Sequence, residues 1–169
     1  MTSEMITVRP VERKDAADLR ENCFSMNALE EVKERVENSI QMFKEGSGVR
    51  FVGEVDGIVV GTAMLKRNSH PLYAHRAEVH DVVVRGDYRR LGIARRLIAE
   101  CHAHAESMGV EILEIGVRGG TVAEEAYRRL GFIEYARLPG GIKEPWGDCN
   151  TFDEVLFYQP VAHNRVEGR

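Results

Sequence analysis

The sequence has few cysteines, and they form no recognisable motif. Cys23, Cys101 and Cys149 stand far apart, odd in number and without the spacing of metal ligands. Such a set does not build a disulfide framework, so we expect a reduced, cytoplasmic protein. The first residues lack the basic and apolar segments of a signal peptide. No apolar run is long enough to span a bilayer, so we expect no membrane association.

The sequence also lacks the basic surplus of a nucleic-acid-binding protein. Its formal net charge is −4, and aromatic residues make up 7% of its 169 residues. A basic segment does occur at 85–96, but Tyr88 is its single aromatic residue, so we expect no nucleic-acid partner. No histidine pair has chelating spacing, because His102 and His104 point to different faces of a helix, and we expect no metal.

The length predicts a single domain over residues 1–160, followed by a polar tail at 161–169. Strand patterns at 6–8, 49–55, 58–65, 77–84, 110–117, 132–136 and 152–158 alternate with helical patterns before Gly46, at 92–108 and after Thr121. The last helix should bury Val122, Ala123, Ala126 and Leu130, and a turn-rich loop should fill 139–150. This order predicts an α/β fold with a mixed sheet covered by helices.

A tight basic turn joins the strand at 77–84 to the helix that opens at Gly92. The first amides of a helix have no acceptor within the helix, and they lie at the positive end of its dipole. Gly92 and Ala94 carry almost no side chain, so an anion can approach the backbone closely. The alternative is a solvated basic turn, but four arginines surround this one, which favours an anion site: Arg89, Arg90, Arg95 and Arg96. The glycine–lysine–threonine pattern of a Walker loop is missing.

The segment from Arg89 to Ala94, with Gly92 between them, resembles the acetyl-CoA signature of the GNAT superfamily of N-acetyltransferases. The strand 78–84 precedes it at the family's distance, and 123–132 is similar to the family's tyrosine-to-glycine-phenylalanine segment. The resemblance covers about the last two-thirds of the chain and implies a mostly antiparallel central sheet flanked by helices. Three further stretches are loosely similar to the branch that includes tabtoxin-resistance acetyltransferases: 75–79, 121–124 and 138–140.

This resemblance implies acetyl-CoA as cosubstrate and a role for each matching residue. The backbone of Val82 and Val84 would pair with the pantetheine arm, and the basic turn would hold the pyrophosphate. Ala123 would lie against the cofactor, and Tyr127 would protonate the departing sulfur. The family usually has asparagine where Gly120 stands here. The cofactor-binding residues implied are Val82, Val84, Arg89, Arg90, Leu91, Gly92, Ile93, Ala94, Arg95, Ala123 and Tyr127.

Glu78 occupies the strand position that serves as general base in some members of the family. Attack on a thioester needs a neutral amine, and a carboxylate can accept the proton. Simple alternation places Glu78 on one face with His80, Val82 and Val84, and Asp81 on the other. The alternative is that Glu78 only forms an ion pair, with Arg76 or Lys66.

The acceptor is expected to be a small amine, amino-acid-like or antibiotic-like, that attacks directly. Its pocket should be lined by 24–29, 70–75 and 139–150, the last segment containing Trp146. A protein lysine or N-terminal acetyltransferase and a non-catalytic acetyl-CoA-binding module are the alternatives. The assembly is open, with a homodimer among the possibilities.

Overall fold

A computed structural model describes residues 5–161 of the chain. Within these residues seven strands form one sheet in the order β1-β2-β3-β4-β5-β7-β6. The pair β4–β5 is parallel, and each of the other neighbouring pairs is antiparallel. The strands are β1 Ile6–Pro10, β2 Gly48–Val55, β3 Ile58–Arg67, β4 Arg76–Val84, β5 Ile112–Arg118, β6 Ile133–Lys143 and β7 Thr151–Pro160.

In the described part of the chain, four α-helices cover the sheet from both faces, and this confirms the predicted fold class. They are α1 Ala16–Asn22, α2 Leu29–Glu45, α3 Ile93–Ser107 and α4 Val122–Arg129. Helices α1 and α2 bury Leu19 and Val32 against Val52 and Val59 of the sheet. On the other face, α3 and α4 enclose the larger core cluster, in which Phe157 of β7 is fully buried.

Two neighbouring glycines let α3 lie directly against the sheet. Gly53 of β2 and Gly61 of β3 are cross-strand partners. A Cβ atom at Gly53 would lie 2.8 Å from Cγ2 of Ile93, and one at Gly61 would lie 3.1 Å from the same atom. Real Cβ atoms essentially never show the first distance, and the second is tighter than in most real contacts. Ile93, the first residue of α3, is only 1% exposed. The lack of a side chain at Gly53 and at Gly61 therefore allows α3 to begin against the sheet.

Two local predictions were wrong. Residues 139–143 continue β6, because Ile142 and Lys143 pair with Phe152 and Thr151 of β7, so the predicted loop is shorter at its start. In α4 the buried residue is Tyr127, whereas Val122 is 88% exposed and Ala126 also faces solvent. The stripe that packs on the core is Ala123, Tyr127 and Leu130, with spacings of four and three residues.

The predicted polar tail starts at a residue that the structure places in the core. Val161 is 5% exposed, and its amide donates to the carbonyl oxygen of Glu111 over 2.9 Å. The rest of that tail lies outside the described residues. No helix within residues 5–161 is both long and apolar enough to cross a membrane.

Candidate functional site

A cleft opens where β4 and β5 part. Their pairing ends at Val79 and Ile115, although β4 continues to Val84 and β5 to Arg118. The space between the parting strands has a volume of about 480 Å³. Ala123 and Tyr127 of α4 form part of its wall. Parallel strands that separate in this way leave room between them for an elongated ligand.

A bulge at Asp81 changes the direction of the β4 side chains. Thr62 pairs with Val83 and Met64 with His80, so two β4 residues oppose Ala63 alone. Asp81 has a φ angle of +52°, in the left-handed region. The extra residue interrupts the alternation of side chains along the strand.

The bulge makes the alternation prediction for Glu78 wrong. Val79, Val82 and Val84 all pack on the core below α3, whereas Val83 packs on the cluster below α1 and α2. Glu78 and His80 alternate with Val79 and therefore lie on the α2 face, opposite Val82 and Val84. They share that face with Asp81, whose carboxylate meets Arg50.

The backbone of β4 offers a free edge to this cleft. The Arg85 amide donates to the carbonyl oxygen of Val60 over 2.8 Å, and Val83 pairs with Thr62. Because alternate residues turn their backbone groups to opposite edges, those of Val82 and Val84 are directed toward β5. The β4–β5 pairing in the described residues stops before either of them. A ligand with amide groups can therefore bind there as an added strand would.

The turn before α3 has the geometry of an anion cradle. Arg90 and Gly92 have φ angles of +67° and +81°, and the first helical bond runs from the Arg96 amide to the Gly92 carbonyl over 3.1 Å. A Cβ at Gly92 would meet no atom within 4 Å, so the space before the helix is open. Within residues 5–161 no backbone bond occupies the amides between the two ends of this turn: Arg90, Leu91, Gly92, Ile93, Ala94 and Arg95.

Three guanidinium groups beside this turn have no bonding partner among residues 5–161. In the part of the chain that the structure describes, Arg89, Arg90 and Arg95 make no ion pair or side-chain hydrogen bond. Arg96, which the sequence grouped with them, instead donates to the carbonyl oxygen of Ile6 over 2.9 Å. The free guanidinium groups and the amides together make a strongly anion-attracting surface.

Tyr127 is buried in the wall of the cleft. It is 9% exposed, and its ring lies 6.1 Å from that of Phe132. Burial raises the pKa of Tyr127 to about 12. Its hydroxyl makes no hydrogen bond within residues 5–161. The group is therefore protonated at neutral pH, and its proton is free to serve a ligand in the cleft.

Glu78 has neither of the ion pairs that the alternative interpretation required. The Arg76 guanidinium is bound by Glu114, with Nε 2.9 Å from Oε2. Lys66 is the cross-strand neighbour of Glu78, but they form no ion pair. The Glu78 carboxylate is exposed, and it lines both this cleft and an adjoining cavity of about 220 Å³. It is thus available to a ligand.

His80 holds a more central position than the sequence suggested. It lines the cleft, the cavity beside Glu78 and a groove of about 320 Å³ under α2. Burial lowers the pKa of His80 below its usual 6.5, so the ring is neutral at pH 7. The side chain can therefore accept a proton where the three spaces meet.

The groove under α2 contains Arg50, which sequence reasoning missed. The sequence feature that could have identified it is a single arginine within the apolar run 49–52, a pattern typical of a buried, paired charge. The three segments predicted to line the acceptor pocket do not line these cavities. Phe24 is buried with Arg35 stacked 4.4 Å above it, and Trp146 is 49% exposed.

Gly120, where the resembling family usually has asparagine, takes part in capping α4. Its φ angle is +77°, a conformation that asparagine also tolerates. The Gly120 amide donates a hydrogen bond to the Glu124 carboxylate over 2.7 Å. This bond, together with the guanidinium groups of Arg137 and Arg128, lowers the pKa of Glu124 to about 2. The capped start of α4 holds Ala123 and Tyr127 beside the cleft.

Comparisons with known proteins agree with this architecture. The model of the acetyltransferase (GNAT) family matches residues 13–132. An N-acetyltransferase from Staphylococcus aureus Mu50 superposes with a TM-score of 0.81 at 16% identity, over 94% of this chain and 99% of that one. A comparison with curated protein sequences gives no match.

Two further solved structures are similar in fold. A phosphinothricin acetyltransferase from Sinorhizobium meliloti, in complex with acetyl-CoA, has a TM-score of 0.79 at 16% identity, over 93% of this chain and 89% of that one. A ribosomal-protein-alanine N-acetyltransferase from Brucella melitensis has a TM-score of 0.77 at 23% identity, over 91% and 99% of the two chains.

Proposed function

This chain belongs to the acetyltransferase (GNAT) family, and we propose that it transfers an acetyl group from acetyl-CoA to a primary amine of a small molecule. The observation that supports this most strongly is the cleft between β4 and β5. One of its edges is the free backbone of Val82 and Val84, and Tyr127 stands in its wall. The strand that forms this edge leads into the cradle at Gly92.

The residues present fit acetyl-CoA along its length. The cradle amides and the guanidinium groups of Arg89, Arg90 and Arg95 suit a pyrophosphate and a further phosphate. The amides of a pantetheine arm match the free edge of β4. When bound, acetyl-CoA supplies an acetyl group already activated as a thioester. The complex of the Sinorhizobium meliloti enzyme with acetyl-CoA supports this assignment for a similar fold.

Glu78 and Tyr127 are the proposed catalytic residues. An amine with a pKa near ten is only about 0.1% neutral at pH 7, so direct attack needs a proton acceptor. Glu78 takes that proton, directly or through a water, because no ion pair within residues 5–161 engages its carboxylate. Tyr127 holds a proton for the departing sulfur, since burial keeps its hydroxyl protonated. The alternative acceptor on the same strand is His80.

A small acceptor is favoured by the groove under α2. Its volume of about 320 Å³ is in the lower range of small-molecule pockets, and it meets the cleft at His80 and Asp81. An amino-acid-like or antibiotic-like amine, as in the tabtoxin-resistance branch, is consistent with the fold similarity to a phosphinothricin acetyltransferase. We further propose that the sequence-predicted domain over 1–160, extended to include the core residue Val161, is a single cytoplasmic domain. A homodimer is one of its possible assemblies.

A protein acceptor is the second candidate, and the uncovered part of the sheet favours it. Helices α1 and α2 pack on β2 and β3, whereas Ile133, Tyr135 and Leu138 of β6 are 48%, 47% and 59% exposed. An extended peptide could lie across this surface. A non-catalytic acetyl-CoA-binding module is less favoured, because Glu78 and Tyr127 both line the cleft.

The test is a screen that follows release of the coenzyme A thiol from acetyl-CoA. Amino acids, aminoglycosides and polyamines represent small acceptors, and peptides with a free N-terminus or a lysine represent protein acceptors. We expect release with a small amine and none with the G92E variant. Release with peptides alone would favour the second candidate. Calorimetry that shows no acetyl-CoA binding to the wild type would refute the proposed function.

A further inference from the structure

Arg50 of β2 is a buried cation that connects three elements. It is 3% exposed. Its Nε donates to Oγ of Ser39 in α2 over 3.2 Å, and one terminal nitrogen donates to Oγ1 of Thr62 in β3 over 3.3 Å. The other terminal nitrogen donates to Oδ2 of Asp81 in β4 over 3.0 Å. The planar guanidinium thus fixes the relative positions of a helix and two strands.

Asp81 is the bulge residue of β4, and its backbone conformation is unfavourable by itself. A φ angle of +52° is uncommon outside glycine and persists only where the surroundings determine it. The shortest ion pair that holds Asp81 in this conformation is the one with the buried Arg50, at 3.0 Å. Arg35 approaches the same carboxylate oxygen at a longer distance, 3.6 Å, and is itself 36% exposed.

Release of this bulge would change the edge that faces the cleft. With Asp81 in the extended region, β4 would lose its extra residue and slip by one position against β3. A one-residue slip exchanges the two sides of a strand. The backbone groups of Val82 and Val84 would then turn away from β5, and the cleft would lose the edge that suits an amide-bearing ligand.

We propose that Arg50 is a positioning residue for acetyl-CoA binding, which it supports by holding Asp81 in the bulge that keeps the backbone of Val82 and Val84 on the cleft. The inference rests on the proposed function. Arg50 touches no ligand in this scheme and acts through Asp81. The groove under α2, which shares Asp81 with the cleft, is joined to the cofactor side through the same contact.

The R50M variant tests this with little risk to the fold. Ser39 keeps its bond to the Arg35 carbonyl at 2.9 Å, and Thr62 keeps its bond to the Phe51 carbonyl at 2.8 Å. Asp81 is 34% exposed and retains Arg35, so no buried charge is left without a partner. Methionine has a similar length and suits an apolar setting.

R35M is the matched control. It removes the same charge from the same carboxylate and also disturbs the stacking on Phe24, at 4.4 Å, but it leaves the bond from Arg50 to Asp81 intact. We expect R50M to weaken acetyl-CoA binding at least tenfold by calorimetry, at a temperature where both variants are fully folded. R35M should stay within twofold of the wild type. Hydrogen exchange over residues 80–85 should be faster in R50M alone.

A purely structural role for Arg50 would lower the melting temperature and leave the affinity of the folded protein unchanged. Acetyl-CoA affinity within twofold of the wild type in folded R50M would therefore overturn the inference. If R50M does not fold, the R50Q variant, which is neutral but can still form hydrogen bonds, leaves Asp81 in place and carries the same expectation. Absence of acetyl-CoA binding to the wild type would instead refute the proposed function, so the two failures are distinguishable.

Discussion

Replacement of Gly92 separates the strain of the turn from its proposed role in anion binding. At a φ angle of +81° any other residue is strained, by about 1–2 kcal/mol, although its Cβ would have free space. For a chain of this size that is a fall in melting temperature of roughly 2–8 °C. The G92A and G92E variants should both show this fall, because the strain belongs to the backbone.

The effect on acetyl-CoA binding should differ between these two variants. At a hundredfold excess over the dissociation constant, a ligand stabilises the native state by about 2.7 kcal/mol, or roughly 5–11 °C here. The wild type should show that rise on addition of acetyl-CoA, and G92A should retain most of it. The G92E variant should lose it, since a carboxylate at the cradle repels the phosphates.

Gly46 supplies the matched control for this experiment. It ends α2 with a φ angle of +74°, and a Cβ there would also meet no atom within 4 Å. The G46E variant adds the same strain and charge away from the cradle, so it should lose stability and keep the full rise. Differential scanning fluorimetry with and without acetyl-CoA measures all four proteins. An equal rise in G92E and G46E would refute the assignment of the cradle.

The remaining predictions concern the two proposed catalytic residues. The Y127F variant should keep its acetyl-CoA affinity but turn over more slowly; an unchanged rate, with chemistry limiting, would make Tyr127 structural. Since burial raises the pKa of Tyr127 to about 12 from 10, its phenol stabilises the fold below pH 10 and loses this contribution between pH 10 and 12, and Y127F should reduce that alkaline loss in chemical denaturation. The E78Q variant should lower turnover at neutral pH by about 10²- to 10⁴-fold, with a defect that shrinks as pH rises because more acceptor is already neutral. Parallel pH–rate profiles of E78Q and the wild type would exclude Glu78 as the base and direct attention to His80.

The features that the sequence predicted well depend on neighbours along the chain. The turn at Gly92 and the start of α3 follow from a glycine before an amphipathic segment, and both signals lie within a few residues. The order of strands and helices follows in the same way from the spacing of apolar residues along the sequence. The fold class could therefore be predicted before any contact was known.

The features that it missed depend on distant partners. The bulge at Asp81 involves Arg50, 31 residues earlier, and no local sequence pattern at Asp81 predicts the bulge. Arg76 binds Glu114, 38 residues later, in preference to its near neighbour Glu78. The face that Glu78 occupies and the freedom of its carboxylate both follow from these long-range choices, which composition and spacing do not encode.

The contact between Ile93 and the glycines at 53 and 61 has a consequence for engineering this domain. Replacement of glycine by alanine is a common route to thermostability, because it reduces the freedom of the unfolded chain. At Gly53 the added methyl group would instead force Ile93 to shift, and at Gly61 it would press tightly against the same side chain. The residues at positions 53, 61 and 93 share one packing space between two strands and a helix. A larger residue at one of these positions requires a smaller one at another. Natural or designed variants of this domain should therefore change them together.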